Sequence, residues 1–351
     1  MAVNIISKDR DNNFNFLRLI SAILVLLSHS PELKDGNRSR EILTVAFGTI
    51  SFGELAVQVF FLLSGYMIIK SWTLDPNLAK YIKKRVSRIF PGFIVATLIS
   101  IFLVGWLGAS NKITYFHDVN YLKAIFNIFA LVGPYTPEVF KNTHYPTVNA
   151  PMWTLSYEFR CYMTVAIFGI YGINTRRYSW LITLIIMLIL LFSCSFFDIN
   201  KYHFPGSFYL LGVPSSIITL FTCFTTGVCY YLYRDNITYK PILCASALAL
   251  LIFSLFFHHF APISFCLLGG YCAFFIAFKQ IRFLKIFQKL PDASYGIYLY
   301  GWPVQKILLW YHPSLSPWLL FIMALIATVI LGLASWYVVE SPALKLIKKR
   351  L

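Results

Sequence analysis

Charged residues are scarce in this sequence. They make up 13% of its 351 residues, about half the share in an average soluble domain, whereas hydrophobic residues make up 58%. This composition excludes an ordinary soluble protein and predicts a multi-pass membrane protein. Acidic residues are the rarest, with 14 Asp and Glu against 30 Lys and Arg. A net charge of +16 also occurs in nucleic-acid-binding proteins, but here the excess lies in loops between apolar runs, so no nucleic acid partner is expected.

The sequence also has little that would mark metal, redox or ATP-driven chemistry. Its 7 cysteines lie in or beside apolar runs, with no CxxC pair and no Cys/His metal spacing, so we expect buried apolar thiols and no metal. There is no ATP-binding motif, and the first apolar run lacks the small-residue cleavage site of a signal peptide. No internal repeat or linker stands out. We therefore expect a single membrane domain over residues 1–351.

Apolar runs of membrane-spanning length recur along the chain. A further run at 122–133 is too short to cross a bilayer, so we expect a re-entrant or surface helix there. Lys and Arg number 20 in the loops on the side of the N-terminus and 7 in the loops opposite, which predicts that both termini are cytoplasmic. The expected fold is all-α, with about ten transmembrane helices. They are placed at 14–30, 51–70, 90–108, 155–173, 179–197, 208–233, 241–257, 262–278, 294–311 and 317–341.

The first span, Asn13 to Pro31, carries two ionisable side chains. Arg18 and His29 are eleven residues apart, so on a helix they project from nearly the same face, about 16 Å apart along the axis. Snorkelling to the headgroups would explain either residue alone. Ionisable groups within a bilayer are nevertheless functional candidates. The pair predicts a fixed cation near the inner membrane surface and a titratable base near the outer one.

The second and third spans carry further candidates. In VFFLLSGYMI, Ser64 and Gly65 indicate either close helix packing or room for a ligand chain. In KKRVSRIFP, Arg85 and Arg88 are neighbours on one helical face, with Lys84 beside Arg88. Lysines alone would be explained by the positive-inside rule, whereas two guanidinium forks on one face suit bidentate phosphate binding. The expected ligand is a cytosolic molecule with several phosphates.

The fourth span begins after a long segment, about 109–154, which is a candidate functional loop. Glu158 lies near the outer end of this span and is expected at the membrane level of His29. It would orient the imidazole or balance its charge. A purely structural pairing of Glu158 with other polar groups is an equally open interpretation.

These segments, in this order, resemble the acyltransferase type 3 family of bacterial inner-membrane proteins, which includes O-antigen and Nod-factor acetylases. The resemblance spans nearly the whole chain. It implies a membrane fold of about ten helices that transfers an acyl group, usually acetyl from cytosolic acetyl-CoA, to an extracytoplasmic glycan. The matching pieces are FLRLISAILVLLSH, VFFLLSGYMI, KKRVSRIFP, MWTLSYEFRCY, SYGIYLYGWPVQ and VVESP.

The resemblance implies a role for most of the candidates. Arg18 and His29 match the family's R-x10-H pattern, whose histidine takes part in transfer, and Glu158 matches the acid of its WxLxxE stretch. Arg85 and Arg88 match its RxxR pattern, which handles the acyl-CoA. We therefore expect Arg18, His29 and Glu158 at the catalytic centre.

The remaining matches concern the donor site and one departure from the family. Ser64, Gly65 and Tyr66 match the family's SGF/SGY stretch, and we expect them to bind the donor together with Lys84. Many members carry a histidine before the aromatic-proline pair of the ninth span, where this chain has Gly301. A mechanism that needs that second histidine is therefore not expected here.

The hypothesis from the sequence is a membrane O-acetyltransferase of the bacterial inner membrane. Its partners would be acetyl-CoA, a glycan or lipid-linked glycan acceptor, and the bilayer. His29 would act as general base on a sugar hydroxyl or carry the acyl group itself. The alternative is a transporter or flippase of a lipid-linked or acylated substrate, with Arg18, His29, Glu158 and Arg160 forming a path. The lack of repeat symmetry argues against this alternative.

Overall fold

The structure is a computed structural model that describes residues 12–197 and 212–350. Within these residues the regular structure is helical, apart from one isolated antiparallel bridge between Ala109 and Val139. The prediction of an all-α fold is confirmed for this part of the chain.

Ten main helices, α1 to α10, account for most of the described residues. They are α1 Phe14–Asp35, α2 Phe52–Leu74, α3 Leu78–Gly108, α4 Thr154–Ile170, α5 Arg177–Cys194, α6 Pro214–Leu232, α7 Pro241–Ser254, α8 Ala261–Phe278, α9 Ser294–Tyr311 and α10 Pro317–Ile347. Seven of them, all except α4, α7 and α9, are long and apolar enough to cross a membrane. The chain is therefore a multi-pass membrane protein. The total of about ten spans and the cytoplasmic position of the termini stay predictions.

Helix α1 is fixed at both ends and lies among other helices. At its start, the Asn13 side chain donates hydrogen bonds of 2.8 Å to the carbonyl oxygens of Ile276 and Lys279, at the end of α8. At its other end, Gly36 adopts a left-handed conformation with φ 76°, which glycine tolerates without strain. Between these ends α1 packs against α2, α9 and α10. Its functional side chains therefore meet neighbouring helices.

Helices α2 and α6 approach each other backbone to backbone. A Cβ atom on Gly65 would lie 2.0 Å from the carbonyl oxygen of Phe224, and one on Gly227 would lie 2.0 Å from that of Leu62. Glycine permits such an approach because it has no side chain. Close packing is therefore the correct interpretation of Gly65. The main apolar core lies around this contact.

The segment between α3 and α4 covers the His29 end of α1. Lys306, buried in α9, donates a hydrogen bond of 2.8 Å to Thr143 Oγ1 of this segment. The Tyr145 hydroxyl donates to the carbonyl oxygen of Gly36 at 3.3 Å. The short apolar run predicted at 122–133 forms a helix, Tyr121–Ala130. The segment is thus anchored to both α1 and α9.

Candidate active site

Two cavities lie at opposite ends of α1, each of about 450 Å³. The walls of the first, called the His29 cavity, include His29, Glu32, Arg38, Glu54, Tyr145 and Trp302. The walls of the second, called the Arg18 cavity, include Arg18, Ser64, Lys84, Arg85, Arg88 and Glu158. Within the described residues, no group of three or more His, Cys, Asp or Glu side chains is suited to a metal ion. The structure therefore collects the arginine motifs in one cavity and His29 in the other.

His29 forms a hydrogen-bonded dyad with Glu32, one helical turn further along α1. Nδ1 of the imidazole lies 2.8 Å from Oε2 of Glu32. A carboxylate only accepts hydrogen bonds, so Nδ1 carries a proton, and in the neutral imidazole Nε2 is then the acceptor. The Trp302 ring packs edge-on against the imidazole, with 5.0 Å between ring centroids. His29 is thus held in the tautomer that accepts a proton at Nε2.

Arg38 holds Glu32 from the other side. Its Nε and Nη2 atoms both lie 3.1 Å from Glu32 Oε2, and its Nη1 donates to Ser51 Oγ at 3.0 Å. Glu32 is therefore fixed between a guanidinium and an imidazole. A carboxylate in this position resembles the acid that orients the base histidine of a hydrolase triad.

The expectation that Glu158 orients His29 is wrong. Ser64 Oγ donates to Glu158 Oε1 at 2.8 Å, and the Tyr162 hydroxyl donates to the same oxygen. Glu158 lies four residues inside α4, which places it about 6 Å along the axis from the first residue. That depth brings it to α2 and the Arg18 cavity. The position beside His29 that was expected for Glu158 is occupied by Glu32.

Arg18 and Arg88 share one carboxylate, that of Asp292. Arg18 Nη1 lies 2.6 Å and Arg88 Nη2 lies 2.7 Å from Asp292 Oδ2, and Arg88 Nη1 lies 3.4 Å from Glu340 Oε2. Burial by itself would raise the pKa of Asp292, but the charges of Arg18 and Arg88 hold this pKa well below its ordinary value. A carboxylate whose pKa is lowered in the folded state stabilises the fold at pH values above its ordinary pKa. This stabilisation is lost only when the pH falls through the lowered pKa. Asp292 therefore stays ionised at neutral pH.

Arg85 is the guanidinium of the Arg18 cavity that no carboxylate holds within the described residues. Its Nε is buried without a hydrogen-bond partner, and its Nη2 reaches Ser71 Oγ at 3.4 Å. The rings of Tyr81 and Tyr162 flank it, with 5.6 and 5.7 Å from Cζ to the ring centroids. Arg85 therefore keeps donor groups for an anionic ligand, whereas Arg88 is committed to acidic side chains.

The expectation that Ser64, Gly65 and Tyr66 act together is wrong. Ser64 lines the Arg18 cavity, whereas Gly65 packs against α6. Tyr66 is buried among aromatic side chains, with ring centroids 5.5 Å from Phe14 and 5.2 Å from Tyr231. Successive residues of a helix point about 100° apart, so one cavity does not receive all three. Of these three residues, Ser64 is the one that lines the Arg18 cavity.

A narrow passage of about 50 Å³ lies between the two cavities. At one end it shares Arg18, Ser64 and Glu158 with the Arg18 cavity, and at the other it shares Val57, Thr154 and Tyr298 with the His29 cavity. The Tyr298 hydroxyl, at 2.5 Å from Thr154 Oγ1 and 2.6 Å from the carbonyl oxygen of Pro151, lies at this narrow point. The passage thus lies between the two cavities and shares walls with both of them.

Three functional candidates were missed from the sequence. Glu32 was detectable, because its i, i+3 spacing from His29 places the two on one helical face. Arg38 lies in the loop after α1, where a basic residue has many interpretations. Asp292 is 274 positions from Arg18, and no local spacing connects them.

A helical bundle with a basic cavity at one end, a histidine–glutamate dyad at the other and a small cavity between them suits a multi-pass membrane transferase. The chain belongs to the acyltransferase type 3 family: the family model described as Acyltransferase domain matches residues 11–337. The protein is accordingly an O-acyltransferase.

Two curated relatives match nearly the full length of the chain, and a third matches about half of it. The O-acetyl transferase of Shigella phage Sf6 is 26% identical, covering 94% of this chain and 95% of the relative. Nodulation protein 10 of Rhizobium leguminosarum bv. viciae is 26% identical, covering 97% and 95%. Acyltransferase MdmB of Streptomyces mycarofaciens is 25% identical, covering 47% and 41%. No solved structure matches the chain at a significant level.

Proposed function

We propose that the protein transfers an acetyl group from acetyl-CoA to a hydroxyl group of a glycan or lipid-linked glycan. The donor binds at the Arg18 cavity from the cytosol, and the acceptor enters the His29 cavity from the opposite side of a bacterial inner membrane. The observation that carries this proposal is the passage between the two cavities, with a basic site at one end and an oriented histidine at the other. The name of the phage relative, O-acetyl transferase, supports acetyl as the transferred group.

The donor site is built around Arg85. Its guanidinium has no acidic partner within the described residues and faces the Arg18 cavity, so it is free to bind a phosphate bidentately. Lys84 lines the same cavity and pairs with the half-exposed Asp75 at 3.4 Å. Its exposed ammonium adds a second cation for the phosphates of the donor. Arg18 and Arg88 shape the cavity wall through Asp292.

The slender thioester arm of the donor extends from this site through the passage. The passage contains apolar walls such as Phe60 and Leu155 and polar groups such as Glu158 and Thr154. These polar groups offer hydrogen-bond partners to the amides of the arm. Glu158 thus serves the donor arm, and the thioester carbonyl reaches the His29 cavity with the CoA phosphates left behind.

His29 acts as general base at the far end of this path. Its Nε2 takes the proton of the acceptor hydroxyl while the oxygen attacks the thioester carbonyl. The C–O bond forms, the C–S bond breaks, and the departing CoA sulfur receives the proton from the imidazolium. Glu32 stabilises the imidazolium during this transfer, and Arg38 keeps Glu32 in place.

Deletion of the gene, followed by complementation, tests this function. Wild-type protein should restore O-acetyl groups on the surface glycan, and His29→Ala should not, because the base is lost. His117→Ala is the matched control, since His117 is an exposed histidine in the segment between α3 and α4. Mass spectrometry of the glycan provides the measurement. Acetylation at the wild-type level by a normally inserted His29→Ala protein would remove His29 from the chemistry.

A further inference from the structure

The two cavities differ in charge, and this difference bears on the acceptor. We infer that the sugar residue that enters the His29 cavity is uncharged, and that acidic sugars and phosphates are rejected there. The inference rests on the proposed function and adds to it the chemical class of the acceptor. It concerns the residue that receives the acetyl group, whatever the rest of the glycan contains.

Carboxylates outnumber arginine and lysine side chains by two to one in the described walls of the His29 cavity. Among the described residues that line it, the ionisable groups other than tyrosine are His29, Glu32, Arg38 and Glu54. Arg38 is the one arginine or lysine among these described residues, and each of its three nitrogens already contacts a side-chain oxygen. Nε and Nη2 contact Glu32 at 3.1 Å, and Nη1 lies 3.0 Å from Ser51 Oγ and 3.7 Å from Glu54 Oε1. Among the described walls, an entering carboxylate or phosphate would therefore meet two carboxylates and one guanidinium that is already paired with Glu32.

The Arg18 cavity has the opposite balance. Arg18, Lys84, Arg85 and Arg88 line it, against Glu158 as the acidic residue of its described walls. A polyphosphate donor is attracted to this end and repelled from the other. The same charges that exclude an acidic acceptor thus also keep the CoA phosphates out of the His29 cavity. The two substrates are thus directed to different cavities by their charge as well as by the side of the membrane from which they enter.

The uncharged walls of the His29 cavity suit a sugar ring. Trp153 is 41% exposed and lines the cavity with Trp302 and Tyr145. The Trp153 ring offers a flat apolar surface with a polar edge, to which the C–H face of a sugar packs. Gln58 and Thr219 line the cavity as well and provide neutral hydrogen-bonding groups for hydroxyls. Such a combination of aromatic walls and few polar groups is typical of a specific small-ligand pocket.

Glu54 is the residue through which the charge selection can be tested. It is outside the His29–Glu32 dyad, and its side chain is 54% exposed. It also completes the capping box of α2, accepting hydrogen bonds from Ser51 N at 2.8 Å and Ser51 Oγ at 3.0 Å. Glutamine keeps an acceptor oxygen for this cap. Glu54→Gln therefore removes one negative charge from the cavity and leaves the start of α2 in place.

The experiment compares two acceptors of the same shape and different charge, methyl glucuronide and its amide. Purified protein in lipid nanodiscs, supplied with acetyl-CoA, should acetylate the amide at least about tenfold faster than the acid, because the carboxylate faces like charges at short range. Glu54→Gln should lower the ratio of the amide rate to the acid rate several-fold. Added salt should also lower the ratio of the amide rate to the acid rate in the wild type, because salt screens the repulsion between carboxylates. Glu138→Gln is the matched control, because this exposed glutamate pairs with Lys141 in the segment between α3 and α4.

A second measurement uses the natural acceptor. Tandem mass spectrometry of the surface glycan should locate the gene-dependent ester on a neutral sugar. An ester on a uronic acid or a phosphorylated sugar, or equal use of acid and amide by the wild type, would overturn the inference and leave the proposed function standing. Transfer to neither test sugar, combined with a glycan that deletion of the gene does not change, would overturn the proposed function and the inference with it.

Discussion

Replacing Arg85 and Arg88 one at a time should show that Arg85 binds the donor and that Arg88 stabilises the fold. The sequence suggests one phosphate-binding pair, but the structure gives the two guanidiniums different partners. Arg88 contacts Asp292 at 2.7 Å and Glu340 at 3.4 Å, whereas Arg85 has a buried Nε without a partner. Methionine at either position keeps most of the apolar stem and removes the charge. The two variants Arg85→Met and Arg88→Met therefore form a matched pair.

One variant should lose donor affinity, and the other should lose thermal stability. A hydrogen bond to a charged group contributes about 1.5–3 kcal/mol, so Arg85→Met should weaken acetyl-CoA binding roughly ten- to a hundredfold with little change in thermal stability. Removing one partner of a buried ion pair costs about 3–5 kcal/mol, and Glu340 is only 2% exposed. Arg88→Met should therefore lower the melting temperature clearly. Adding Glu340→Gln to Arg88→Met should recover part of that loss, because it removes an uncompensated charge.

Calorimetry with acetyl-CoA and thermal unfolding of the purified variants give the two readouts. Each variant is measured in the same detergent at neutral pH, where Asp292 remains ionised. If Arg88→Met loses donor binding at an unchanged melting temperature while Arg85→Met still binds the donor, the assignment of the two arginines is reversed. If neither variant changes donor binding, the two arginines do not bind the donor and act only as positive charges that set the orientation of the helix in the membrane.

Three further predictions concern the path and its ends. Glu32→Gln should lower kcat about a hundredfold or more with little change in KM for the donor, since it removes the charge that stabilises the imidazolium; an equal rise in KM in steady-state assays would argue against this role. Val57→Trp should fill the passage and stop transfer while calorimetry still detects donor binding, whereas Ile185→Trp, at an exposed position of α5, should leave transfer intact. Reporter fusions at His258 and Lys285 should report the extracytoplasmic side and the cytosol, and the reverse result would invert the positions of both cavities.

The sequence by itself determined the class of the protein and the composition of single helices. Its apolar runs match helices in the structure because a chain without water must satisfy its backbone hydrogen bonds within each segment. The common face of Arg18 and His29 follows from helical periodicity, which is a local property. The recognition of the family, confirmed over residues 11–337, rests on the same local motifs read in order.

Tertiary structure decided which of these residues meet. Glu158 was expected beside His29 because the sequence places both near one membrane level, but its depth in α4 brings it to Ser64 instead. Asp292 joins Arg18 to Arg88 across three segments of the chain. Contacts between helices depend on rotation, tilt and axial offset, which are set by packing over the whole bundle and leave no periodic signal in any one segment. For that reason the sequence could supply the groups of the site, while their pairing into a dyad, a cluster and a path became visible only in the folded chain.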